Sequence, residues 1–141
     1  MVNVDRRSAA VLGLAVTIPA LTTVTSSAAA ATYGPKAGEE VAPGVREVFL
    51  HKREVSLSAY KWAWLTDLIF QPGASTALDV VPNDTICLMV EGLLRVKLDE
   101  QEFIVTKNEH PLWASPKGAM ERRSNTGADV AVVRVIDLLP R

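Results

Sequence analysis

From Val45 to the C-terminus, apolar residues come in short runs that turn residues interrupt about every eight to twelve positions. No stretch keeps a helical period beyond about two turns. The run 61–70 closes at Gln71, Pro72 and Gly73, the run 75–81 at Pro82, Asn83 and Asp84, and the run 85–91 at Gly92. Further strands are expected over 93–98, 102–106, 111–114, 119–124 and 129–137, with turn residues between them at 99–101, 107–109, 115–118 and 125–127. Leu94, Val96 and Leu98 alternate with Arg95 and Lys97, the period of two that marks a half-buried strand. The pattern predicts an all-β sandwich or barrel.

The first 31 residues read differently. Arg6 and Arg7 precede a run of Ala, Val, Leu and Thr, and the segment ends in Ser26, Ser27 and four alanines. A charged start, an apolar middle and a small-residue end make up a secretory signal peptide. Cleavage is expected after Ala30 or Ala31. The arginine pair gives a twin-arginine-like leader, although the large apolar residues and lysine that usually follow are missing. Pro19 and the Thr and Ser residues beyond it argue against a permanent span, so no membrane segment is expected after cleavage. A periplasmic or secreted location follows. Residues 32–56, with Gly34, Pro35, Gly38, Pro43 and Gly44, read as an N-terminal arm and edge strand. Residues 57–139 form the expected barrel.

The chain has 141 residues, 48% hydrophobic and 22% charged, which suits one packed domain. A net charge of −1 and the lack of a Lys/Arg run give no case for a nucleic-acid partner. The single cysteine, Cys87, cannot form an intrachain disulfide and excludes a cysteine-based zinc ribbon. About 110 residues remain after the leader, enough for a core without covalent staples.

The order of turns resembles that of the small single-domain cupins, a superfamily of double-stranded β-helix (jelly-roll) barrels. The family's first motif, Gly-x5-His-x-His-x3-Glu-x6-Gly, fits without a gap when Gly73 and Gly92 are its ends. Asp79 then takes the first histidine position, Val81 the second and Thr85 the glutamate. The second motif, Gly-x5-Pro-x-Gly-x2-His-x3-Asn, meets Pro116, Gly118 and Asn125 in place. It has His110 at the opening glycine and Glu121 at the histidine. The turn-forming residues match, and the metal-binding histidines are missing.

The resemblance implies an inward-facing set. Alternation places Asp79, Thr85, Cys87, Met89, Glu121 and Arg123 in the barrel, as a ligand-binding set with no metal ligand among them. No cofactor is expected. A divalent metal on Asp79 and Glu121, suited to hard oxygen donors, is the alternative. Arg123 reads either as the structural partner of a buried carboxylate or as the grip on a carboxylated or phosphorylated ligand. Cys87 reads as a small buried side chain, or as a soft ligand or nucleophile that no histidine is placed to activate. His51 and His110 read as surface residues. Trp62 and Trp64 share a strand face with Thr66 and Leu68; with Trp113 they belong to core or interface, or stack on a flat ligand.

Three functional readings follow. One is an exported cupin that binds a small polar or carboxylated molecule, either passively or as an isomerase or lyase with Glu121 or Asp79 as base. A second is a metal-dependent oxygenase with altered carboxylate ligands. A third is a non-catalytic interaction module, whose barrel large side chains would fill. A homodimer is expected, by sheet packing and exchange of the strand 47–55.

Overall fold

The computed structural model describes residues 32–141. The expected leader, 1–31, lies outside the described residues. Among those described there are ten strands and no helix, so none is long and apolar enough to cross a membrane. The strands are β1 (Glu39–Ala42), β2 (Val45–Glu54), β3 (Tyr60–Phe70), β4 (Asp79–Val80), β5 (Asp84–Glu91), β6 (Leu93–Leu98), β7 (Gln101–Thr106), β8 (Leu112–Ser115), β9 (Met120–Ser124) and β10 (Ala131–Pro140). They build one sheet in the order β1-β2-β3-β10-β5-β8 and a second in the order β4-β9-β6-β7. All pairings are antiparallel.

The inner faces of both sheets carry the core. Alternation buries Phe70 and Leu68 on β3, Cys87 and Met89 on β5, Leu94 and Val96 on β6, and Ala131, Val133 and Val135 on β10. Two residues of the motif scaffold show why those types stand there. Gly92 joins β5 to β6 at φ 75°, where a Cβ would lie 2.6 Å from the Val130 carbonyl oxygen. Asn125, 1% exposed, donates from Nδ2 to the carbonyls of Phe70 (3.1 Å) and Asp129 (2.8 Å) and accepts from the Gly127 N–H at 2.9 Å. It ties the turn after β9 to the large sheet.

The structure corrects two expectations about strands. The run 75–81 is not a continuous strand. Only Asp79–Val80 pairs with β9, plus an isolated bridge from Ser75 to Ser124. Between them Thr76 N–H donates to the Arg123 carbonyl, but Arg123 N–H donates to the Thr76 hydroxyl at 3.0 Å. A side chain thus takes the place of a backbone acceptor, and the ladder breaks. The strand expected at the edge, 47–55, lies inside the sheet as β2, paired with β1 and β3 of the same chain. β1 holds the edge, formed where the arm turns back at Gly44 with φ 71°.

The N-terminal arm also reaches the outer face of the large sheet. There Asp67, fully buried, accepts from the Tyr33 hydroxyl at 2.7 Å and from Arg134 Nε and Nη2 at 2.9 Å each. A carboxylate buried on that face needs such partners.

Candidate functional site

A cavity of about 440 Å³ opens between the two sheets. Its wall is built strand by strand: Glu47 from β2, Thr66 and Leu68 from β3, Thr85 from β5, Glu121 and Arg123 from β9, and Val135 and Asp137 from β10. The irregular segment before β5 supplies Thr76, Asp79 and Val81. Parity explains the large-sheet residues. Thr66 pairs with Val135 and Asp137 with Thr85 in register, so their side chains share the inner face. Asp79 and Glu121 are register partners across β4 and β9.

Four of the six residues expected at the site, Asp79, Thr85, Glu121 and Arg123, line this cavity. Cys87 and Met89 face inward with them but lie deeper, at 0% and 3% exposure, as part of the apolar core. Parity gives the face of a residue, not its depth. Asp79 is at the open side and is exposed; its Oδ1 accepts the N–H of Val80 at 2.7 Å. His51 and His110 are exposed and do not line the cavity.

Glu121 and Arg123 form the polar centre. The guanidinium grips the carboxylate with two bonds, Nε to Oε1 at 3.0 Å and Nη2 to Oε2 at 2.9 Å. The Trp113 indole N–H donates to the same Oε1 at 3.0 Å. Three of the roughly four lone-pair sites of the carboxylate are therefore in use. Burial alone would pull Arg123 down, but Cys87, Glu121 and Asp137 raise it above its ordinary value, so it stays charged. Burial, opposed by Arg123, pushes the Cys87 thiol up to about 12 and keeps it neutral.

Two acidic cavity residues, Glu47 and Asp137, stand outside the motif positions. Asp137 continues the inward series Ala131, Val133 and Val135, and its Oδ1 lies 2.9 Å from the Thr85 hydroxyl. The Asn83 carbonyl, at 3.0 Å, is the other acceptor open to that hydroxyl. Burial, then Asp137 and Glu39, raise the Glu47 carboxyl above its ordinary value. Among the described residues the wall thus holds Glu47, Asp79, Glu121 and Asp137 against one cation, Arg123.

Further along β2 and β3, beyond the cavity lining, the same face turns aromatic. Trp64 pairs with Asp137 in register, one step outward from Thr66. Phe49, paired with Thr66, meets Trp64 edge-on at 5.7 Å between ring centroids. Trp64 is 36% and Phe49 56% exposed, so both rings keep a solvent-facing surface. Lys52 Nζ sits 5.3 Å from the Trp62 ring centroid and 5.5 Å from that of Trp64.

The donor set does not fit a histidine-held metal. Val81 has no donor atom, the Thr85 hydroxyl is engaged, and Glu121 is spent on Arg123 and Trp113. Among the described residues no group of three His, Cys, Asp or Glu is placed to hold a metal ion.

Solved structures share this architecture. An RmlC-like cupin from Shewanella frigidimarina aligns at a TM-score of 0.58 and 14% identity, over 78% of this chain and 90% of that one. KdgF from Halomonas sp. aligns at 0.54 and 18%, over 73% and 84%. An RmlC-like cupin with a double-stranded β-helix fold from Methanocaldococcus jannaschii aligns at 0.51 and 12%, over 66% and 90%. No protein-family model matches the sequence, and no curated protein does. At these identities the likeness establishes the fold alone: a cupin-type double-stranded β-helix.

Proposed function

We propose that this is an exported protein that binds a small polar molecule in the barrel cavity with its own side chains, without a histidine-ligated metal. The observation that carries this reading is the open cavity of about 440 Å³ at the position of the missing histidines, walled by polar side chains of five strands and of the segment before β5. An interaction module with a filled barrel would have lost that space. The oxygenase reading needs the carboxylates Asp79 and Glu121 as ligands, with Cys87 as a further candidate, whereas Glu121 is committed to Arg123 and burial pushes the thiol up. For acid–base chemistry Asp79 is better placed than Glu121, because the Glu121 oxygens are already engaged. Export rests on the leader-like composition of residues 1–31. Ile86, Leu88 and Leu112, exposed together on the outer face of β5 and β8, support a homodimer through that sheet.

The test is a thermal-shift screen of small polar metabolites on the full-length protein in a chelator. A Val135→Phe variant, which places a ring in the cavity, is run beside it. The reading expects compounds that raise the wild-type midpoint with the chelator present and leave the variant unmoved. Equal stabilisation of both proteins, or of neither, contradicts it.

A further inference from the structure

The cavity reading leaves open what charge its occupant carries, and the wall bears on that. Among the described residues Arg123 is the one cationic side chain lining the space, and both its Nε and its Nη2 are committed to Glu121. Nη2 also donates to Cys87 Sγ at 3.4 Å, which leaves an incoming carboxylate Nη1 and no two-nitrogen fork. Such an anion would meet Glu47, Asp79 and Asp137 instead. Neither Glu47 nor Asp137 is in a direct ion pair among the described residues, and Arg123, held by Glu121, acts on Asp137 only through space. A carboxylate in a partly buried wall without a paired cation is costly to fold around.

The same space has an apolar side. Leu68, Val81 and Val135 line it together with the carboxylates, a wall suited to a carbon skeleton that carries one polar group.

We propose that the occupant of this cavity is a small organic amine. Its ammonium group sits between Glu47, Asp79 and Asp137, and its carbon skeleton packs against Leu68, Val81 and Val135. This rests on the cavity being a ligand site and adds the charge class of the ligand. The Arg123–Glu121 pair is then part of the floor and does not grip the ligand. Specificity arises because an anion of the same shape faces Glu47, Asp79 and Asp137 while the guanidinium of Arg123 is already held by Glu121.

The experiment uses three probes that share one ring and differ in charge: benzylammonium, benzyl alcohol and benzoate. Each is titrated into the full-length, isotopically labelled protein at constant ionic strength and followed by amide NMR. Benzylammonium is expected to shift the amides of Thr66, Thr85 and Val135 with an affinity at least about tenfold that of benzyl alcohol, and benzoate to give no saturable shift. Glu47→Gln with Asp137→Asn should bring benzylammonium down to the level of benzyl alcohol while benzyl alcohol still binds. If loss of the Thr85 bond unfolds that double variant, Glu47→Gln alone should weaken benzylammonium by up to about fivefold. Benzoate binding as tightly as benzylammonium, or no difference between the charged and neutral probes, overturns the amine assignment and leaves the cavity reading standing. No shift at those amides with any probe overturns both.

Discussion

Arg123 and Glu121, two residues apart on β9, face the same side of the strand and close a bidentate ion pair with bonds of 3.0 and 2.9 Å. The side chains are 11% and 5% exposed. Glu121 stands where the resemblance places a metal-binding histidine, so a fixed guanidinium supplies the positive charge at this point of the barrel. Trp113, pinned to the same carboxylate, lies with its ring 5.8 Å from the Arg123 guanidinium carbon. The result is a rigid polar floor beside the cavity.

Removing one member of that pair leaves a buried charge alone. Arg123→Met is expected to cost about 3–5 kcal/mol, because Glu121 loses its counter-ion while staying inside. Glu121→Gln combined with Arg123→Met removes both charges and keeps an acceptor for the Trp113 indole. That double variant should return to within about 1 kcal/mol of the wild type. Urea unfolding curves for the three proteins decide this, and a double variant no better than the single one contradicts it.

Glu47 gives a pH-dependent prediction. Burial first, then Asp137 and Glu39, raise its carboxyl above the ordinary value of 4.5. The folded state therefore holds that proton more tightly than the unfolded chain does. Stability falls as pH rises from 4.5 through the folded-state value, and the penalty is fully present above it. Glu47→Gln should raise the urea midpoint at neutral pH, and the gain should disappear once the pH is well below 4.5. A variant less stable than the wild type at neutral pH contradicts this account. An acid kept at such a position against stability fits a binding role.

Cys87 should be chemically silent. Its thiol is fully buried and pushed up to about 12, so at pH 8 only about one molecule in ten thousand carries the thiolate. A disulfide reagent such as Ellman's is expected to leave the native protein unlabelled on the minute timescale and to release one equivalent in urea. Prompt labelling of the native protein would show that the thiol is reachable and reactive.

Much of the barrel was legible because its turns are written in residues with few alternatives. Gly92, held at φ 75° against the Val130 carbonyl, and Asn125, bonding three backbone groups, each demand their own residue type. They mark β5, β6 and β9 to within a residue or so. The segment 75–81 was less legible because hydroxyl-to-backbone bonding at Thr76 interrupts a stretch with strand-like composition. At the site, parity put Thr85, Cys87 and Met89 on the inner face, but only the fold shows that the cavity ends at Thr85. Glu47 and Asp137 lie outside both motifs. Asp137 had a signal in the apolar alternation of β10, whose fourth inward position it takes. Glu47 had a weaker one, because a bulge between Phe49 and His51 breaks the alternation of β2 two residues further on.

The central claim is that side chains alone hold the ligand at the place where the resemblance puts a metal. Its most direct test is the metal content of the full-length protein, purified without chelator and measured by plasma mass spectrometry beside Asp79→Ala and Glu121→Ala. The account predicts far less than one equivalent of any divalent metal in all three proteins. Near-stoichiometric metal in the wild type, lost in both variants, would contradict it and return Asp79 and Glu121 to the role of ligands.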